Sequence, residues 1–480
     1  MKGVILAGGK GSRMSPLTLL TPKPLVPIMN IPVIDLCISW LKSQGVTEIA
    51  ITIHHLATKI QKHCGDGSKY GVKLVYFYET NPMGTAGGLK ALKKFIDGTF
   101  IVISSDVVNQ FDLHKAVTFH YESRSDLTVV TTTMSHPEHY GIVIKDNKGK
   151  VRCFLEKPPQ HLIFSDQINT GIYIIEPTIL NYIPCDRPFD FSHDLFPLLL
   201  QKNVSLYSFS LEGYWIDIGQ IHTYHQVHRD YLSPFLGWEV KRGYKQIKKG
   251  VWVGPNCEID PLCRMEGPVL IGEGSKLGPN TIIGTNTVIG NNCVIESDCF
   301  LEDCILWDGV QIKKDSHIVN CVIASYVVVE EGASMVDNML VFGKKEIQSK
   351  ASRSVTSQPV DFFESGPNYE HEDLPGSEYS MEKLETKIPF DAIVTVTKIH
   401  CPSNLKSKMV RILIESMLEN TKEIDIKEGI KLHLSDNRWV YIFPFEMEEY
   451  ITIYTHAESI EVARAMAYEC RNQITIYQGV

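Results

Sequence analysis

Over residues 1–235, short apolar runs alternate with stretches whose apolar positions recur at helical spacing. Residues 4–7 read as a strand opening into glycines, 49–53 and 74–78 as further strands, and 99–104 and 127–132 as strands deep in a sheet. Ile34, Ile38 and Leu41 put a helix over 31–44, and a second helix is expected over 87–95. Strands and helices in alternation predict an α/β domain, a mostly parallel sheet with helices on both faces.

From 245 to 343 the period changes to six. Val253, Ile259, Met265, Ile271, Leu277, Ile283, Ile289, Ile295 and Leu301 recur in strict register. Small residues follow each of the first eight by four positions: Cys257, Cys263, Val269, Ser275, Thr281, Thr287, Cys293 and Cys299. A six-residue period fits neither a helix nor a flat strand. It fits a parallel β-helix, whose coils stack aliphatic on aliphatic. After Leu301 the register slips, and Ile312, Ile318, Val329 and Met335 continue it imperfectly.

Residues 344–385 are polar, with Ser, Gly, Pro and acidic clusters, and read as a linker. Residues 386–480 read as a small α+β domain: a helix over 409–418, a hairpin of 430–434 and 439–443, a strand over 450–454 and a helix over 459–470.

With 44% hydrophobic and 21% charged residues, the composition is globular. No apolar run approaches the ~20 residues of a membrane span, and the N-terminus lacks the pattern of a secretory signal, so a cytoplasmic protein is expected. A net charge of −9 disfavours a general nucleic-acid binder and implies that cations for an anionic substrate are concentrated locally. The twelve cysteines form no C-x-x-C pair, and those in the repeat are expected to fill the core. His222, His225 and His228, three apart, are expected on a solvated or interface face of a helix.

The candidate chemistry begins directly after the first strand, at Gly8-Gly9-Lys10-Gly11-Ser12-Arg13. Glycines let backbone N–H groups approach phosphate oxygens. The run is not a Walker loop, and Met14 stands where a dinucleotide fingerprint needs glycine. Ten residues on, Lys23 is held between Pro22 and Pro24. A glycine turn with two fixed cations suits a triphosphate, whose charge must be offset before attack. Asp106 follows the apolar strand, at the end where such sheets bind ligands, and Asp217 lies between Ile216 and Ile218. Two converging carboxylates are ordinary Mg²⁺ ligands.

The run LAGGKGSRMSPLTLLTPKPLVPI resembles the signature of the sugar-1-phosphate nucleotidyltransferases, with Ser12 and Met14 for the more usual Thr and Leu. Asn81 to Gly88 is similar to that family's P-L-G-T-A-G segment, and Ser104-Ser105-Asp106 to its metal site. Tyr140-Gly141-Ile142-Val143, Glu156-Lys157-Pro158, Asn169-Thr170-Gly171-Ile172-Tyr173 and Gly213 to Gly219 match further motifs in family order. The resemblance covers residues 1–235 and implies a Rossmann-like domain with a left-handed β-helix as a common companion. It implies nucleotide contacts at Leu6, Ala7, Gly8, Gly9, Gly11, Ser12, Arg13, Lys23, Gly84, Thr85 and Gly88. Sugar-phosphate contacts follow at Tyr140, Gly141, Glu156, Lys157, Asn169 and Thr170, with Mg²⁺ on Asp106 and Asp217. Arg13, Lys23 and Lys157 are the implied catalytic cations. The expected partners are a nucleoside triphosphate, GTP by preference, and a sugar 1-phosphate, with no nucleic acid or membrane; a homo-oligomer is expected.

Residues from about 395 resemble the last domain of phosphohexomutases. The mutase phosphate loop, R-P-S-G-T-E-P, corresponds here to Phe443-Pro444-Phe445-Glu446-Met447-Glu448-Glu449, acidic and without its arginine. Acid there repels a phosphate, so this domain is expected to be structural, interface-forming or regulatory. Together with the Ser104-Ser105-Asp106-Val107-Val108 segment, this makes the chain similar to the mannose-1-phosphate guanylyltransferases, some of which are fused to mutases. Other nucleoside-diphosphate-sugar synthases, a non-catalytic regulatory subunit and a β-helix acyltransferase are the alternatives. The second is disfavoured by the presence of Arg13, Lys23, Asp106 and Asp217. The third is disfavoured because His317 is the only histidine in the repeat.

Overall fold

In the computed structural model the described residues are 1–340, apart from 16, 160, 161, 164, 186, 234, 235, 237–242 and 338, and 394–478, apart from 403, 404, 427, 428, 436 and 444–449. The expected linker, 344–385, and most of the acidic segment compared with the mutase loop lie outside them.

The N-terminal region contributes, in order, β1 (Lys2–Ala7), β2 (Pro27–Ile28), β3 (Ile31–Pro32), α1 (Val33–Ser43), β4 (Glu48–Ile53), α2 (Ala57–Cys64), β5 (Lys73–Tyr78), α3 (Gly84–Gly87), β6 (Phe100–Ser104), β7 (Val107–Asn109), α4 (His114–Glu122), β8 (Leu127–Thr133), β9 (Gly141–Lys145), β10 (Val151–Glu156), β11 (Gln167–Ile175), α5 (Phe196–Gln201), β12 (Leu206–Ser210), β13 (Trp215–Asp217) and α6 (Ile221–Leu232). The central sheet runs β10-β9-β11-β6-β1-β4-β5, with β8 beside β11 and β12 beside β8. β6, β1, β4 and β5 are parallel. β11 is antiparallel to both β6 and β8, and β10 to β9. The sheet is therefore mixed rather than mostly parallel. The β9–β10 pair is antiparallel because a short turn at Gly149 joins the two strands into a hairpin. Helix 31–44 starts two residues late, because Ile31 and Pro32 pair with Ile28 and Pro27. The expected helix 87–95 is a single α turn, α3, followed by a 3₁₀ segment.

The parallel strands read as unbroken apolar runs because both faces are covered. Val4, Ala50 and Val102 join one core cluster, and Ile5, Ile51 and Ile103 the other. These are register partners across β1, β4 and β6.

The second region begins with β14 (Lys245–Lys248), paired antiparallel to the strand Val251–Val253. From there three parallel sheets form a β-helix. Early coils hold eighteen residues, as in Val251 opposite Val269; later ones hold seventeen, as in Val288 opposite Ile305. The slip after Leu301 is a five-residue side. Leu306 and Ile323 follow Leu301 and Ile318 by five positions, and both continue the stack that runs from Val253 through Ile271 and Ile289. The shortened corner carries Asp303, Asn320 and Asp337, all with positive φ, a conformation that Asn and Asp tolerate. Cys293, Cys299, Cys304 and Cys321 are buried inside the coils and Cys257 and Cys263 partly so.

The C-terminal region is a five-stranded antiparallel sheet with α7 (Lys406–Met417) and α8 (Ile460–Gln478). It meets the first domain through an Arg411–Asp166 ion pair and an Asn147–Glu419 hydrogen bond. Among the described residues no helix is long and apolar enough to cross a membrane.

Helix α6 seals the first region to the β-helix. His225 and His228 are buried in that junction, while His222 is exposed. Burial pulls His225 down to about 4 and His228 to about 3, the latter helped by the neighbouring His225. An unfolded histidine titrates near 6.5, so between about 6.5 and 4 the unfolded chain binds protons that the folded one excludes. Stability is thus expected to be full above pH ~6.5 and to fall as pH drops through that window. Thermal melts across pH 4–8 check this, with His228→Gln predicted to flatten the slope.

Candidate active site

The crevice lies at the carboxyl ends of β1 and β6, which stay in register up to Leu6 opposite Ser104. After β1 the chain leaves through Gly8, Gly9 and Lys10 into a 3₁₀ turn, Ser12–Met14. Gly11 takes φ 66°, and a Cβ there would press on Lys23 and Thr18 at 3.1 Å. Thr18 Oγ1 donates to the Gly11 carbonyl at 2.8 Å, closing the loop. Met14 and Leu17 are fully buried and anchor it, which leaves Ser12 and Arg13 exposed above the crevice. Met14, where the related signature has Leu, is a core residue.

Lys23 opens a short 3₁₀ segment, Lys23–Leu25, whose proline-fixed entry holds the lysine stem in place. Its ammonium donates to Asp106 Oδ2 and lies 3.8 Å from Asp217 Oδ1. The two carboxylates meet because β13 pairs antiparallel with β7, placing Asp217 opposite Val107. The Ile218 N–H donates to the Asp106 carbonyl at 3.0 Å and locks that register. Arg13 completes the group: its guanidinium and the Asp217 carboxylate both flank Gly219, where no side chain intervenes.

Burial pushes both carboxyls up. At Asp106 the Lys23 ammonium, by charge and hydrogen bond, outweighs burial and holds the group below the ordinary carboxylate range. At Asp217 burial and then the Asp106 charge prevail over Lys23 and Arg13, and the carboxyl is pushed up to about 6. Burial works against the charge on Lys23, but the two carboxylates outweigh it and the ammonium is held. Asp217 Oδ1 is buried and accepts no hydrogen bond from the described residues. A buried acceptor left open beside a second carboxylate fits a divalent cation with oxygen ligands.

On one side of this cluster Gly84, with φ 75°, packs its α-carbon against the Phe189 carbonyl, which accepts from Ala86 and Gly87 N–H at 3.0 and 2.8 Å. The Thr85 hydroxyl donates to Asp190 at 2.6 Å and accepts from the Phe191 N–H, so it braces the loop. The Glu79 carboxylate fills the space beside Gly8 and Gly88 and accepts from the Met83 N–H at 3.3 Å. Burial raises its pKa. Glu79 was not among the residues singled out from the sequence. The signal was there: it directly follows the apolar strand β5, as Asp106 follows β6.

On the other side Glu156 lies opposite Gly141 across β9 and β10. Lys157 is exposed with φ 44°, a backbone conformation uncommon for lysine, fixed by its N–H bond to the Tyr140 carbonyl at 3.2 Å. Tyr140 packs edge-on to Trp215 at 5.3 Å; burial, with the nearby Asp217 charge, pushes its hydroxyl up to about 12. Asn169 donates to the Tyr173 hydroxyl at 3.0 Å, where β11 bulges. Tyr173 stacks on Phe191 at 4.2 Å and so joins the two sides. The Thr170 hydroxyl is spent on the Val130 carbonyl at 2.7 Å, and the Thr170 carbonyl accepts from the Trp215 indole N–H at 3.0 Å.

Residues 2–234 match the Nucleotidyl transferase family, and residues 248–352 match the EIF2B subunit epsilon LbH domain. A UTP–glucose-1-phosphate uridylyltransferase of Synechocystis sp. is 33% identical over 359 residues, covering 72% of this chain and 88% of that protein. A mannose-1-phosphate guanyltransferase of Gibberella zeae is 35% identical, covering 72% and 91%. A probable mannose-1-phosphate guanylyltransferase 2 of Arabidopsis thaliana is 34% identical with the same coverage. The chain belongs to the sugar-1-phosphate nucleotidyltransferases: a nucleotidyltransferase domain followed by a left-handed β-helix and a small antiparallel-sheet domain.

Proposed function

We propose that this protein transfers a guanylyl group from GTP to mannose 1-phosphate, forming GDP-mannose and releasing pyrophosphate. The observation that carries the reaction is the Lys23–Asp106–Asp217 cluster beneath Arg13 at the sheet's carboxyl edge. Asp106 and Asp217 would hold Mg²⁺, which when bound supplies positive charge to the phosphates. Arg13 and Lys23 face the triphosphate and offset the charge that gathers on the leaving pyrophosphate. Backbone N–H groups of Gly8, Gly9, Gly11 and Ser12 lie along its path, beside Leu6 and Ala7. Lys157 holds the phosphate of the sugar 1-phosphate, while Glu156, Asn169 and the Tyr140–Gly141 and Thr170 backbone shape the sugar's place. A sugar-phosphate oxygen attacks the α-phosphorus in line; that P–O bond forms as the α–β bridging bond breaks, and its electron pair leaves with pyrophosphate. The attacking oxygen is already anionic, so no general base is required. Catalysis is positioning and electrostatics.

Glu79 supports guanine. Guanine presents two adjacent N–H donors on its pairing edge, which a carboxylate accepts together. Uracil offers one N–H between two carbonyls, which a carboxylate repels. Glu79→Gln is expected to lower kcat/KM for GTP by about tenfold to a hundredfold while changing UTP little or raising it. Initial rates of pyrophosphate release with each triphosphate check this; an unchanged GTP preference removes Glu79 from base selection. The uridylyltransferase among the relatives keeps UTP with glucose 1-phosphate as the second reading, separated by the same assay. The expected cytoplasmic location and self-association are part of this proposal, checked by fractionation and by light scattering.

A further inference from the structure

The two arms of the catalytic cluster leave it in different directions and meet again at one buried point. From Lys23 the chain runs three residues to Val26, whose N–H returns to the Lys23 carbonyl, and then to Pro27 in β2. From Asp217 it runs through Gly219 to Gln220, which caps α6 in a reciprocal box with Thr223. Tyr224, one turn into α6, is fully buried, and its hydroxyl donates to the Pro27 carbonyl at 2.7 Å. Trp307, on the β-helix and also buried, donates its indole N–H to that same hydroxyl at 2.9 Å. The phenol has one proton. With a lone pair occupied by Trp307, the proton is directed to Pro27, and neighbouring bonds of this kind polarise one another.

We propose that Trp307 is a positioning residue for nucleotidyl transfer, acting through Tyr224 to fix the spacing between the Lys23 arm and the Asp217 arm. The β-helix thereby becomes part of the catalytic framework. Trp307 is buried on the β-helix and acts through the Tyr224 hydroxyl alone. The inference rests on the nucleotidyltransferase reading of the Lys23–Asp106–Asp217 cluster. The same junction supplies an internal control: Arg229 of α6 pairs with Asp303 of the β-helix through two hydrogen bonds, outside the Tyr224 chain.

Trp307→Phe keeps an aromatic ring and removes the donor. A buried neutral hydrogen bond of ordinary strength corresponds to about a threefold to tenfold fall in kcat, with KM for both substrates little changed. Tyr224→Phe is expected to give a similar or larger fall. The double variant should be no slower than Tyr224→Phe alone, because the two residues act in series. Asp303→Asn should lower the melting temperature of the junction and leave kcat unchanged. The proposal is overturned if Trp307→Phe retains full kcat, if the losses of the two aromatic variants multiply, or if Asp303→Asn lowers kcat as Trp307→Phe does. Absence of pyrophosphate release from the unaltered protein would instead sink the reading of the site itself, so the two failures are distinct.

Discussion

Asp106→Asn is expected to lower pyrophosphate release about a thousandfold or more, the magnitude associated with loss of one preorganised charge at a reacting phosphoryl centre. The substitution preserves shape and the backbone carbonyl that Ile218 binds. It removes the negative charge that, with Asp217, would hold Mg²⁺. It also removes the main partner of Lys23, which in the protein donates to Asp106 and lies 3.8 Å from Asp217. Lys23 is then free to close on Asp217 and to occupy the remaining carboxylate. Both consequences act on the same step, so kcat should carry the loss. A melting curve close to that of the unaltered protein would separate this from misfolding.

Lys23→Met should produce the second large effect, and in two quantities at once. Methionine fills the lysine's space without its charge, leaving two half-buried carboxylates facing each other. Removing one partner of a fully buried charged pair is destabilising by about 3–5 kcal/mol, and partial exposure of the two carboxylates reduces this to about 1–3 kcal/mol, still a fall of several degrees in melting temperature. kcat/KM for the triphosphate should fall about a hundredfold to a thousandfold, since a fixed cation at the leaving group is gone. The distinctive expectation is the response to Mg²⁺. A divalent cation supplies the missing charge between Asp106 and Asp217, so it should raise the melting temperature of the variant more than that of the unaltered protein. An equal shift in both would mean that the two carboxylates do not share a cation. Calorimetry with and without Mg²⁺ makes the comparison.

Much of this arrangement was legible in the order of residues. Val4, Ala50 and Val102 alternate with Ile5, Ile51 and Ile103, and that pattern demands a sheet covered on both faces. The strict six-residue period from Val253 to Leu301 leaves little but a β-helix. Asp106 was legible as a carboxylate ending an apolar strand. What escaped has identifiable causes. The sheet's antiparallel half was hidden because β11 is apolar throughout its second half, like a parallel strand, and direction leaves no mark on such a run. The five-residue sides after Leu301 break the six-residue period, though Leu306 and Ile323 carry the stack onward. Glu79 sits two residues before a motif that drew attention to its glycines, and its importance lies in where it packs, against Gly8, seventy-one positions earlier. Contacts of that range are set by topology. The same holds for Tyr224 and Trp307, which are eighty-three residues apart and meet only because α6 lies along the coils.

The central claim is tested most directly by pyrophosphate release from the purified full chain with Mg²⁺, across a panel of nucleoside triphosphates and sugar 1-phosphates, beside Asp106→Asn. The account predicts release with GTP and mannose 1-phosphate, abolished in the variant. Release with a different pair would keep the reaction and correct the substrates. No release with any pair, from folded protein, would contradict the account and leave the nucleotidyltransferase domain as a binding or regulatory module.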